Sequence, residues 1–142
     1  MKKIPLFDAH CDCISRFLKS ADTLKYSTGH LDLNRVSGFA PYAQFFALFA
    51  DSADPGPSVR ERYHALLARF RREMNECADQ LVHCRTADEA CLAARQGKIA
   101  AFLSVEGAEL LGWTMEELFE KSLEAMRSCE ESVKAETEAL TA

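Results

Sequence analysis

The sequence has no uninterrupted apolar run of the roughly 20 residues that a membrane span requires, so no membrane contact is expected. It also lacks an excess of positive charge: the net charge is -5 and the pI is near 5.4. Binding to a nucleic-acid backbone depends on massed Lys and Arg, and the small basic group Arg69, Arg71 and Arg72 falls within a helix-patterned segment, so nucleic acid is excluded as the expected partner. Met1-Lys2-Lys3 is not followed by the apolar region or small-residue cleavage site of a signal peptide, which makes a cytoplasmic location the expectation. The six cysteines (Cys11, Cys13, Cys77, Cys84, Cys91 and Cys129) contain no Cys-x-x-Cys pair, so neither a zinc ribbon nor a thioredoxin-like motif is signalled. They read as reduced, mostly buried thiols.

What is present is an ordinary globular balance, 48% hydrophobic and 27% charged over 142 residues, which suffices for one core. Three apolar segments rich in β-formers stand out: Ile4 to Ala9, Ala43 to Ala50 and Ile99 to Val105. Their nearly continuous apolar character suits strands covered on both faces, as in a parallel sheet. Between them lie helix signals. Ser58-Val59-Arg60-Glu61 and Thr86-Ala87-Asp88-Glu89 have the form of a capping box, in which the hydroxyl and the carboxylate each satisfy an orphan amide of the first turn. Gly97 is placed to end the second of these helices in a left-handed conformation. Cys13 to Ser20 is expected as a short helix, Ala21 to Gly29 as a loop, Leu31 to Val36 as a further helical turn or two, and Leu81 to Cys84 as a short strand. Strand and helix alternate, the pattern of an α/β domain.

The chemistry concentrates where strands end. His10 and Asp12 follow the first strand at i and i+2, a spacing that on extended backbone puts both side chains on one face, so an imidazole nitrogen and a carboxylate oxygen can meet one ion. Such donors suit zinc or another first-row divalent metal. Taken alone, the triplet fits equally a strand end with Asp8 capping a turn and His10 solvated. Asp51 follows the second strand and Glu106 the third, and carboxyl ends of parallel strands are where sites are built, so Glu106 is the candidate to meet His10 and Asp12. His30, His64 and His83 read as solvated or packed residues. Cys11 and Cys13 flank Asp12 and read as structural.

Three blocks in order carry a family resemblance: Phe7-Asp8-Ala9-His10-Cys11-Asp12; Leu31-Asp32-Leu33-Asn34-Arg35-Val36 with Gly38 and Ala43-Gln44-Phe45-Phe46; and Ala101-Phe102-Leu103-Ser104-Val105-Glu106-Gly107. Together they resemble the renal-type (membrane) dipeptidases, zinc metallopeptidases on a (β/α)8 barrel. The resemblance implies that His10 and Asp12 bind one zinc and that Glu106, the catalytic carboxylate, bridges two. Dipeptides would be hydrolysed by a metal-activated hydroxide. It also implies a fold: α/β, a partial (β/α)8 TIM-barrel-like arrangement of the first three or so β/α units, over residues 1–112. Residues 113–142 depart from the family pattern, with no Gly or Pro, and read as one long polar helix.

A family barrel takes about 250 residues, and after Glu106 the sequence has no histidine for a second metal. The resemblance therefore implies a truncated protein that retains at most one zinc and is inactive alone. Self-association through exposed barrel edges, or a cover formed by the final helix, would follow. The alternative is a non-catalytic metal-binding or self-associating α/β fragment. A different amidohydrolase is disfavoured because Asp12 stands where His-x-His is usual.

Overall fold

The computed structural model describes residues 3–50, 58–107, 110 and 114–141. Four strands, β1 (Ile4–Asp8), β2 (Phe39–Leu48), β3 (Leu81–His83) and β4 (Ile99–Val105), form one parallel sheet in the order β1-β2-β4-β3. Five helices are interleaved with them: α1 (Cys13–Lys19), α2 (Leu33–Val36), α3 (Val59–Glu76), α4 (Ala87–Arg95) and α5 (Met115–Thr141). The α/β expectation is met. β2 begins four residues ahead of the expected apolar run, because Phe39 pairs with Ile4 and Tyr42 with Leu6 at the foot of the sheet. Asp51 lies outside the described residues.

Local signals account for the helix starts. Ser58 and Glu61 exchange hydrogen bonds at the head of α3, Thr86 and Glu89 do so at α4, and Thr114 and Glu117 repeat the exchange at α5. Asp32 accepts from the Arg35 amide to start α2. Gly97 ends α4 at φ 71°, a left-handed conformation that costs a side-chain-bearing residue and costs glycine little.

Strand order decides which face each helix covers. The chain moves from β2 across to the far edge at β3 and then back inward to β4. A single hand of parallel crossover therefore puts α3 and α4 on opposite faces. The packing agrees. Leu66, Phe70 and Met74 of α3 join Phe46, Leu48 and Ala101 in the main core with Ile14 and Phe17 of α1, whereas Ala93 of α4 packs with Ala100, Ala43 and Phe102 on the other face. On that second face Phe7, Phe45 and Phe102 form a row, with ring centroids 5.7 Å and 4.7 Å apart. α4 covers only its foot, and Phe7 stays 63% exposed. β3 pairs only with Ile99 to Ala101, so the upper half of that edge of β4 has no ladder partner among the described residues.

Among the described residues of α5, large apolar side chains stay open. Met115, Phe119 and Met126, on its expected apolar stripe, are 80%, 65% and 54% exposed. No described helix is long and apolar enough to cross a membrane.

Candidate metal centre

β2 is the hub that assembles the site, because it lies between β1 and β4. The Ala47 amide donates to the Cys11 carbonyl at 2.9 Å and the Leu48 carbonyl accepts from the Glu106 amide at 3.0 Å, so two adjacent residues of one strand pin both halves. On the β1 side, Asp8 Oδ1 accepts from the His10 amide at 3.2 Å, turning the chain after the strand, and Asp12 stands at the head of α1, its carbonyl accepting from the Ser15 amide at 3.1 Å. On the β4 side, Gly107 follows Glu106 at φ 86°, which bends the chain away directly after the carboxylate.

The result is a cluster. His10 Nε2 lies 3.2 Å from Asp12 Oδ2 and 3.3 Å from Glu106 Oε2, and one donor atom from each residue falls within 4.8 Å of the others. Two donors held about 2.0–2.1 Å from one ion at the tetrahedral angle sit about 3.3 Å apart. One imidazole and two carboxylates at this spacing thus fit a small divalent cation. Each side chain is about half exposed (52%, 51% and 49%), which leaves room for water or substrate beside the donors.

Beneath the cluster the sheet carries a buried polar residue. Gln44 is fully buried; its amide donates to the Phe45 carbonyl at 2.9 Å and to the Asp8 carbonyl at 3.4 Å, and its oxygen accepts from the Tyr42 hydroxyl. Gln44 ties the end of β1 to β2 under the site, and burial together with the negative charge of Asp8 pushes the Tyr42 hydroxyl pKa up. Nothing in the Ala43-Gln44-Phe45-Phe46 motif marks Gln44 as a supporting residue beyond its being a lone amide in a strand otherwise apolar, which can be buried only with its hydrogen bonds satisfied.

The loop before α2 is similarly stapled. Arg16 Nε donates to Asp22 at 2.8 Å and its Nη2 to Thr28 at 2.7 Å; Arg69 reaches the Asp22 carbonyl at 2.6 Å, and buried Glu73 accepts from the Leu24 amide at 2.7 Å. The Arg16 guanidinium, with the Thr28 amide, holds the Asp22 carboxyl down to about 2. This loop, with α1, walls a cavity of about 450 Å³ shared by His10, Asp12, Cys11, Cys13 and His30.

His64 and His83 lie apart from the donor cluster, on α3 and β3. His64 packs edge-on to Tyr63, and His83 edge-on to Phe70, where burial and the Arg85 charge lower its pKa. Cys11 and Cys13 pack half-buried against the main core, with the Cys13 amide donating to Cys11 Sγ at 3.4 Å.

A sequence model of the membrane dipeptidases (peptidase family M19) matches residues 1–130, most of the chain. The chain belongs to the membrane dipeptidase family. That family is one of dipeptidases, which are peptide hydrolases. A metallopeptidase from Rhodobacter sphaeroides, solved with a phosphinate mimic of the dipeptide L-Ala-D-Ala, superposes with a TM-score of 0.61 at 27% identity, covering 84% of this chain and 43% of that one. The probable dipeptidase PvdM from Pseudomonas aeruginosa shares the fold, with a TM-score of 0.54 at 19% identity over 84% of this chain and 32% of its own. This family member thus spans less than half the length of either solved relative.

Proposed function

We propose that residues 1–112 are the N-terminal, metal-holding portion of a (β/α)8 dipeptidase barrel, with residues 113–142 a helical tail outside it, and that His10, Asp12 and Glu106 hold a zinc ion. The observation that carries this reading is the convergence of three donors, from the ends of β1 and β4, within 4.8 Å of one another on the carboxyl edge of the sheet, with both carboxylates 3.2–3.3 Å from the His10 nitrogen. Support for the barrel comes from the half-covered row of Phe7, Phe45 and Phe102 and from the unpaired upper edge of β4, since an apolar sheet face and an open edge are what further strands would cover.

When bound, zinc supplies Lewis acidity toward water and toward a peptide carbonyl at neutral pH. The chain's own residues hold and orient. His10 and Asp12 are set by the turn at Asp8 and the start of α1; Glu106 is set by the Leu48 carbonyl and Gly107, and acts as the catalytic carboxylate. The half-exposed donors leave an approach for a dipeptide, the substrate class suggested by the dipeptide mimic bound to the Rhodobacter sphaeroides relative. The 142 residues are proposed to bind one metal without turning over dipeptide on their own, because no histidine follows Glu106 to complete a second ligand set. The five described cysteines are unpaired, in keeping with a cytoplasmic location.

Metal analysis of the purified chain beside His10→Ala, Asp12→Ala and Glu106→Ala tests this: about one zinc per chain, lost in all three variants, is the expected result. A parent chain that binds none removes the reading and favours the second one, a self-associating fragment. That second reading rests on the exposed Phe7, Met115, Phe119 and Met126. A dipeptide-hydrolysis assay with added zinc tests the inactivity.

A further inference from the structure

Cys11 and Cys13 bracket Asp12, and the backbone between them is not extended. Asp12 has φ -90° and ψ 16°, a helix-like turn. Extended strand would separate the flanking Cα atoms by about 6.6 Å, whereas a helix-like turn at the residue between them brings them closer, toward the roughly 5.5–6 Å that disulfides most often span. The Cys11 sulfur already lies against the next turn: the Cys13 amide donates to Cys11 Sγ at 3.4 Å. Both are half-buried and line the same cavity as His10 and Asp12, so a small reagent can reach them. Cys77 and Cys84, by contrast, are buried apart in different clusters, and Cys91 is exposed on α4.

We propose that Cys11 and Cys13 form a redox-active dithiol that closes to a disulfide across Asp12 and loosens the His10, Asp12 and Glu106 donor set. The first half stands on the cysteine geometry; the second rests on the metal reading above. In the closing step one cysteine thiolate attacks a sulfur of a low-molecular-weight disulfide such as oxidised glutathione, forming a mixed disulfide and releasing one glutathione. The second cysteine thiolate then displaces the other glutathione. The two thiol protons pass to solvent, and the two electrons leave with the reduced glutathione.

The link to the metal is mechanical. The Cys11 carbonyl is held by the Ala47 amide at 2.9 Å, and Cys13 opens α1, where Ile14 is fully buried. With both ends anchored, bringing the sulfurs to about 2.05 Å is accommodated in the torsions of the residue between them, and that residue is Asp12. Coupling is reciprocal: if oxidation weakens zinc binding tenfold, zinc raises the potential needed to oxidise the pair by about 30 mV.

The test poises the full chain in a series of reduced and oxidised glutathione buffers, with and without zinc, then quenches with acid and weighs the tryptic peptide Ile4 to Arg16, which contains both cysteines. The expected result is a peptide lighter by two hydrogens, with a midpoint that zinc moves at least about 30 mV in the oxidising direction, matching a tenfold effect. Cys13→Ser should carry a glutathione adduct on Cys11 instead. A peptide that stays reduced throughout, or carries only adducts, overturns the dithiol. A midpoint unmoved by zinc, in a chain that metal analysis shows to bind it when reduced, overturns the coupling. A reduced chain that binds no zinc overturns the metal reading and the coupling together, while the peptide mass still decides the dithiol.

Discussion

Glu106 Oε2 lies 3.3 Å from His10 Nε2, although β2 and the whole of α3 and α4 separate the two residues along the chain. They meet because β4 inserts beside β2 instead of at the sheet edge, which puts the carboxyl ends of β1, β2 and β4 side by side.

Loss of any one donor should therefore weaken zinc binding. Even residues that only support metal ligands cost about 10–100-fold when replaced, so His10→Ala, Asp12→Ala and Glu106→Ala should each lower zinc affinity by at least that range in competition with a chelating dye. His30→Ala and His64→Ala should leave it unchanged. Zinc affinity retained in Glu106→Ala would separate Glu106 from the site.

Gly97 and Gly107, left-handed among the described glycines, should behave differently. A side-chain-bearing residue in that conformation costs about 1–3 kcal/mol, and Gly97→Ala, at φ 71° with nothing within 4 Å of the added carbon, should show that strain alone. Gly107→Ala, at φ 86°, should lose similar stability and also zinc affinity, because the residue before it is Glu106. Denaturant unfolding and zinc titration of the pair make the comparison; equal zinc affinity in both variants would show that Gly107 does not aim Glu106.

Tyr42 and Gln44 should be coupled. Tyr42→Phe leaves the Gln44 oxygen without its donor, and Gln44→Leu leaves the Tyr42 hydroxyl buried without its acceptor, each costing about 1–3 kcal/mol. The double variant should cost less than the sum, since it removes both ends of the bond. Strict additivity in urea unfolding would rule the coupling out.

Asp22 should make stability depend on pH in the acid range. Its folded pKa, about 2, lies below the value of about 3.9 of an unfolded aspartate. The paired carboxylate therefore stabilises the fold fully above the unfolded value, and that contribution is lost as pH falls toward the folded one. Asp22→Asn should unfold at lower temperature than the parent at pH 6, and the gap should close between about pH 4 and 2. A gap that is constant across this range would mean that the Arg16–Asp22 pair contributes nothing through charge.

Much of this protein was decided locally. The capping boxes at Ser58 and Thr86, the left-handed Gly97 and the apolar strand runs are short-range patterns, and short-range patterns survive in sequence because hydrogen bonds to the first turn and backbone sterics involve residues a few positions apart; His10 and Asp12, by contrast, lie past the end of β1, where the turn at Asp8 and the start of α1 set them. Glu106 could be named as a candidate from its place after a strand, but its distance to His10 could not. That distance follows from the reversal of direction at β3, which sends α4 to the opposite face and returns β4 to the side of β2. The same holds for Gln44, whose burial requires the Asp8 and Phe45 carbonyls and the Tyr42 hydroxyl to be present together. Strand order and the satisfaction of a buried amide depend on contacts between segments far apart in the chain, so only the tertiary structure could settle them.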